Sequence, residues 1–249
     1  MNVFEDNEAT SQRVWFITDA DGPYGATLTR KALTADDFVV AVSTRPERFR
    51  ARFAGFEHAL VCLEMDITDA ASVAEAVNTA VSCFGQIDVL VNNTGLSLKG
   101  GLEAVSDADA RQIFEVNLFG MLNVTRCVMS HMRQREQGRV INVSTIPETS
   151  GWGIYNGARR AIDGVSEALA LDVVSLGIHV TVMITGQCQD MYDAQFATDA
   201  TLRLVNETAP PLRLVLGREV YERTLSCLES VQTEIRNWAR ISLSADKAA

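Results

Sequence analysis

The feature that most constrains this chain is a regular alternation of short apolar runs with amphipathic stretches. Val14–Thr18 (VWFIT), Phe38–Ser43 (FVVAVS), Leu60–Met65, Ile87–Val91 (IDVLV), Arg139–Val143 (RVINV), Ile178–Ile184 (IHVTVMI) and Pro211–Leu216 (PLRLVL) read as strands. Most lack polar alternation, which marks strands covered on both faces. Helical patterns lie between them: Ala26–Leu33, Ala70–Phe84, Ser106–Met132, Gly153–Leu176 and Arg218–Arg240. Over Ala70–Phe84, Val73, Ala76, Val77, Ala80, Val81 and Phe84 share one face, and Gly85 stops the helix. Ser106 with Asp109 fits an N-cap and an acidic third position, ahead of a stripe of Ile113, Val116, Asn117, Gly120, Met121, Val124 and Val128. Gly177 closes the helix from Gly153. Strands alternating with helices at this spacing predict βαβ units, right-handed crossovers and an α/β fold. Its doubly wound parallel sheet has about seven strands and helices on both faces. Residues 1–11 read as a solvated tail and 12–249 as one domain.

Composition removes several function classes. Hydrophobic residues make up 47% and charged residues 22%, so wholesale disorder is excluded. The net charge of −10 would repel a phosphate backbone, which argues against nucleic acid as a partner. No apolar run approaches the ~20 residues a membrane span needs. MNVFEDNEATSQ is acidic where a signal peptide is basic, and no apolar segment follows it. The five cysteines (Cys62, Cys83, Cys127, Cys188, Cys227) are scattered, with no CxxC, and read as reduced thiols in a cytoplasmic protein. No metal site is read from the sequence.

In a parallel sheet of this kind, ligands bind beyond the carboxyl ends of the strands. The first such turn is TDADGPYG, Thr18–Gly25. A dinucleotide site wants glycines there, so that backbone N–H groups can approach a pyrophosphate at a helix N-terminus. This turn keeps Gly25 but carries Asp19, Asp21 and Pro23. Carboxylates repel a pyrophosphate, and proline removes a donor. The fourth strand ends in NNTG, Asn92–Gly95. Asn117 faces inward on its helix and so needs a partner. The fifth strand ends in Ser144 and Thr145, and Tyr155 lies ten residues beyond Thr145. Arg159, one helical turn from Tyr155, shares its face. A guanidinium beside a phenol favours the phenolate, as proton transfer requires. Glu148, Asp190, Asp19 and Asp21 are the acids near this region, and Trp152 is an aromatic beside it.

The combination resembles the short-chain dehydrogenase/reductase family from Val14 to about Arg240. The segments that carry the resemblance are IDVLVNNTG, FEVNLFGMLNVTRCVMSHMR, GRVINVST and GWGIYNGARRAIDGVSEALALDVVSLGIHVTV. PPLRLVLG is similar to a bacterial NADP(H)-type branch. The resemblance implies a Rossmann-like fold and a tetrad of Asn, Ser, Tyr and Lys. In that tetrad Tyr moves the substrate proton, Ser orients the oxygen, Lys holds the ribose and assists Tyr, and Asn anchors a relay water. Asn117 and Tyr155 match; the Ser position falls on Thr145, with Ser144 beside it; the Lys position falls on Arg159. For the cofactor, the resemblance implies Thr18, Gly25, Arg45, Asp66, Asn92 and Gly95, and NADP(H) if any dinucleotide is used.

The departures cluster on the dinucleotide. The family's TGxxxGxG reads Thr18, Asp19, Pro23, Gly25, its loop arginine is Gly22, Thr44 stands where a first basic residue would follow the second strand, and Thr185-Gly186 replaces Pro-Gly. The segment 186–210, which covers substrate in the family, is short. Three readings result. The first is a biosynthetic enzyme repurposed for non-redox acid/base chemistry (cyclisation, dehydration or isomerisation of a small, secondary-metabolite-like substrate), with weakened or lost dinucleotide use. The alternative is an NADPH-dependent carbonyl reductase or alcohol dehydrogenase, and the third is a non-catalytic relative. The family resemblance also implies a homodimer or homotetramer through the two long helices, where Ala158, Ala161, Ile162, Val165 and Leu169 form a packing stripe.

Overall fold

The computed structural model describes residues 12–145, 151–186 and 191–244. Seven strands, β1 (Val14–Ile17), β2 (Phe38–Val42), β3 (Leu60–Leu63), β4 (Val89–Asn92), β5 (Gly138–Thr145), β6 (Ile178–Thr185) and β7 (Arg213–Val215), form one sheet in the order β3-β2-β1-β4-β5-β6-β7. Every pairing is parallel. Chain order reverses between β1 and β4, so the carboxyl ends of these two strands flank a crevice. Trp15, Phe16 and Ile17 are all fully buried, because consecutive side chains enter opposite layers. One layer joins Trp15, Ile17, Val39 and Val91 to α1 (Pro23–Thr34) and α7 (Met191–Asn206). The other joins Phe16, Val40, Leu90 and Val180 to α3 (Ala70–Phe84), α5 (Met121–Arg135) and α6 (Gly153–Val173).

Local signals explain the element ends. Asp69 caps α3 by accepting from Ala71 N at 2.9 Å, and Gly85 ends it at φ +79°, a left-handed conformation that suits glycine. Ser106 caps α4 (Asp107–Phe114) through Asp109 N, 3.1 Å away, as the sequence predicts. The expected single helix to Met132 is interrupted, however. A π-helical turn, Glu115–Gly120, separates α4 from α5. The stripe residues stay inward across it, but the wider turn swings Asn117 onto the segment after β4 and sets Gly120 against Ile67.

α1 starts earlier than expected, at Pro23, where the missing N–H costs nothing to the helix itself. Two helices are additions to the sequence reading: α2 (Pro46–Arg50) and α7, which occupies most of the segment expected to be a shortened loop. Tyr24 and Thr201 hydroxyls meet at 2.8 Å where α7 packs on α1. Of the α6 stripe, Ala158 and Ile162 are buried within the same chain rather than displayed. The predicted final helix is α8 (Arg218–Asn237) followed by a short α9 (Ala239–Leu243), and most of its surface is exposed. The tail 1–11 lies outside the described residues. Among the described residues no helix is long and apolar enough to cross a membrane.

Candidate active site

The crevice opens at Thr18, which is fully buried at the end of β1. Its Oγ1 accepts from Asn93 N at 2.9 Å and Thr94 N at 3.1 Å, fastening the first loop to the segment after β4. Asp19 follows at φ +48°, a left-handed conformation more natural to glycine, and its carbonyl accepts from Asn93 Nδ2 at 2.9 Å. A Cβ on Gly25 would stand 2.7 Å from Ala20 Cα, so this glycine lets α1 lie against the loop. A cavity of ≈180 Å³ lies here, lined by Asp19, Gly22, Pro23, Tyr24, Asn93, Val143 and Thr185. The surrounding protein, and then the Asp21 charge, push the Asp19 carboxyl above its ordinary 3.8.

Toward β2 the arrangement differs. Asp21 reaches from the loop to the β2 tip, where it meets Ser43, Thr44 and Arg45. Arg45 is exposed there and donates its N–H to Ser43 Oγ at 3.0 Å. Asp66, after β3, is exposed and accepts from Thr68 Oγ1 (2.7 Å) and Thr68 N (2.9 Å), which hold its carboxyl below the usual range.

The other side of the crevice carries the proton-transfer candidates. Tyr155 sits in the first turn of α6, 4% exposed, with Trp152 edge-on to its ring at 5.6 Å. The Arg159 guanidinium lies over that ring, 5.0 Å from its centre, and donates from Nη1 to Val143 O at 3.1 Å. That bond pins the Tyr155 face of α6 to β5, one residue before the buried Ser144. Arg159 also presses on Gly95, where a Cβ would collide with its Nη2. Asn117 is clamped to Leu96: Oδ1 accepts from Leu96 N at 2.9 Å and Nδ2 donates to Leu96 O at 2.8 Å. Asn92 lies deeper and acts as a strut, its Nδ2 donating to Asn142 Oδ1 (2.8 Å) and Thr125 Oγ1 (3.0 Å). Asn142 in turn donates to Ser166 Oγ at 2.8 Å. Asn92 Oδ1 and Arg159 Nε are buried with no hydrogen-bond partner, and both residues line a cavity of ≈10 Å³, the size of one water.

The structure therefore gathers Tyr155, Arg159, Asn117, Gly95 and Ser144 on the β4–β5 side of the crevice, with Thr18, Asp19 and Gly25 at its β1 edge. Arg45 and Asp66 stand farther along the strand tips, and Asn92 is buried beneath. Thr145 ends β5, but its side chain, like Glu148 and Asp190, falls outside the described residues. The Asn142–Thr125–Ser166 network escaped the sequence reading, although an Asn in the middle of RVINV was a visible signal. Among the described residues no cluster of His, Cys, Asp and Glu could hold a metal ion.

This geometry has relatives. A family model described as short chain dehydrogenase matches residues 13–199, more than half of the chain. The chain is a short-chain dehydrogenase family member. It is 26% identical to the oxidoreductase BOA17 of Botryotinia fuckeliana, over 94% of this chain and 99% of that one. That alignment runs to 271 positions against 249 residues here, so BOA17 carries segments this short-chain dehydrogenase lacks. A solved short-chain dehydrogenase from Streptomyces avermitilis matches with a TM-score of 0.89 and 25% identity, covering 95% of this chain and 100% of its own. ElxO, solved with NADP bound, shares the fold at TM-score 0.75 and 21% identity, covering 82% of this chain and 97% of its own.

The crevice has room and polar groups for a nicotinamide dinucleotide. A Cβ added to Gly22 would meet nothing within 4 Å, so the outer face of the first loop is open to approach. Polar groups stand at both ends, Asp66 at the outer tips and Tyr155 with Ser144 at the inner ones. The Asp19 charge opposes the pyrophosphate, and Asp21 fills the β2 tip.

Proposed function

We propose that this chain is a cytoplasmic oxidoreductase that interconverts a carbonyl and an alcohol on a small molecule, with Tyr155 as the proton donor and acceptor. The observation that carries this reading is the buried pairing of the Tyr155 ring with the Arg159 guanidinium, pinned to β5 beside Ser144. A nicotinamide dinucleotide, when bound, supplies or takes the hydride. The chain's own residues handle the proton. The Tyr155 hydroxyl gives its proton to the substrate oxygen in reduction and takes it back in oxidation. The Arg159 guanidinium over the ring face holds Tyr155 in place. The hydroxyl that orients the substrate oxygen comes from the end of β5, from Thr145 with Ser144 beside it, and Asn117 holds the Gly95–Leu96 segment against Arg159.

BOA17, similar over nearly the whole chain, is named an oxidoreductase, and that supports redox chemistry over the non-redox alternatives. The eroded loop glycines weaken dinucleotide binding without touching the Tyr155 side of the crevice. The test is turnover of a carbonyl panel with NADH and NADPH, followed by nicotinamide absorbance. Tyr155→Phe is expected to lower kcat by about 10²–10⁴-fold with the far-ultraviolet circular dichroism unchanged. A Tyr155→Phe variant as active as the parent would end this reading.

Self-association belongs to the same proposal. We place the contact with a second copy of this chain on α8–α9, where the family resemblance implied the two long helices. Tyr221, Leu225, Leu228, Val231, Ile235, Trp238 and Ile241 are 42–63% exposed and recur at three- and four-residue spacing. On the two long helical segments, Phe119 is exposed singly, and Leu171 is exposed with Val174 one turn beyond it.

A further inference from the structure

The tip of β2 is built to hold an anion, and the anion it holds is part of the chain. Asp21 Oδ1 accepts from Ser43 Oγ at 2.7 Å. Asp21 Oδ2 accepts from Thr44 N at 2.7 Å and from Thr44 Oγ1 at 2.9 Å. The Arg45 charge acts on the same carboxylate. A backbone amide and two hydroxyls, with a guanidinium charge nearby, make a set suited to any small oxyanion. Ser43 is buried and Thr44 and Arg45 are exposed, so the set is anchored from below and open from above.

In a doubly wound sheet the ribose of a bound adenine dinucleotide comes to this tip. An acidic group there receives the ribose hydroxyl, whereas a basic group receives a 2′-phosphate. Here both kinds of group are present: Ser43 and Thr44 hold Asp21, and the Arg45 charge acts on it from nearby. We propose that Asp21 is a built-in occupant of the position a 2′-phosphate would take, so that the crevice accepts the dinucleotide with a free 2′-hydroxyl and rejects its 2′-phosphorylated form. This inference rests on the reading of the crevice as a dinucleotide site. It gives Arg45 a different task from the one the family resemblance implied: Arg45 neutralises an internal carboxylate rather than an external phosphate.

The physical argument has two parts. A 2′-phosphate arriving at this tip either displaces Asp21 from three hydrogen bonds or meets its charge directly, and both routes weaken binding. A ribose hydroxyl meets the opposite situation. A carboxylate accepts about four hydrogen bonds, and Asp21 receives three from its neighbours, so Oδ1 retains a lone pair for the ribose. Asp21 comes from the loop after β1, not from β2 itself, so the selecting acid and the strand tip it serves are 22 residues or more apart in sequence.

Calorimetric titration of the full chain with 5′-AMP and with 2′,5′-ADP tests this directly. The parent is expected to bind 5′-AMP at least tenfold more tightly than 2′,5′-ADP. Asp21→Ser, which frees the donors and removes the charge, is expected to gain at least tenfold on 2′,5′-ADP while 5′-AMP does not gain. Asp21→Asn keeps an acceptor for Ser43 and Thr44 and guards against a loop that fails to fold; it is expected to move the same ratio in the same direction. A parent that binds 2′,5′-ADP as tightly as 5′-AMP overturns the proposal, as does an equal gain on both nucleotides or no binding of either to any of the three proteins. The outcomes separate the inference from the function it rests on. Equal carbonyl reduction with NADPH and NADH would remove Asp21 as a selector and leave the reductase intact. A shifted nucleotide ratio without turnover on any carbonyl would do the reverse.

Discussion

Asp19 and Asp21 stand two positions apart in one turn and experience opposite surroundings. Burial of the Asp19 carboxyl, then the neighbouring Asp21 charge, raise it above 3.8, so the folded chain disfavours its charged form. Partial burial acts upward on Asp21 as well, but hydrogen bonds from Ser43 and Thr44 together with Arg45 outweigh it and hold Asp21 below 3.8. The signs differ accordingly. The Asp19 charge costs stability above its raised value, and that cost disappears as the pH falls toward 3.8. The Asp21 charge contributes stability above 3.8 that is lost as the pH falls through its depressed value. Asp19→Asn is therefore expected to gain stability in urea denaturation at neutral pH and little at about pH 3, below both forms of the titration. Equal gains at both pH values would show that charge is not the cause. Asp19→Gly should add the relief of a left-handed Cβ, about 1 kcal/mol, or a Tm rise of about 2–4 °C for a chain of this size. At this scale Tyr155, Arg159, Asn117 and Thr18 were legible in the sequence, because each falls at a strand end or on one helical face. The grip of Ser43 and Thr44 on Asp21 was not, since it joins a loop to a strand with no periodic signal between them.

Among the elements, α8 makes the sharpest prediction. If its apolar face meets a second copy, sedimentation of the parent should show a dimer or larger species. Leu228→Glu with Ile235→Glu should release monomer, while Phe119→Glu with Leu171→Glu should leave the assembly whole. The reverse pattern would return the interface to the long helices. The elements also show what a sequence reveals. α3 was readable to its ends because six apolar residues keep one face and Gly85 closes it. α7 was missed because threonine takes the place of a core residue there. Thr198 and Thr201 are fully buried, their hydroxyls turned back onto Ala194 O and Ala197 O at 2.8 Å, so a polar-looking pattern conceals an inward face. The π turn was hidden for the opposite reason: its stripe continues unbroken, and only the pull of Leu96 on Asn117 reveals the extra width.

The whole molecule was the most legible level, since seven apolar runs separated by helices leave few alternatives to a parallel sheet. Its parts are not equally secured. The sheet from β2 to β6 is buried between helices on both faces, whereas α8 follows a three-residue edge strand and buries only Val220. Hydrogen exchange should therefore sort the amides into two classes: slow ones in β1, β4 and β5, released only when the whole domain opens, and fast ones in α8, released by local opening. Raising the protein concentration should slow the second class and leave the first unchanged. If a second copy completes this weakly held helix, local order becomes a function of how much protein is present. At low abundance the last 30 or so residues would be the first reached by a protease, while the crevice stayed folded.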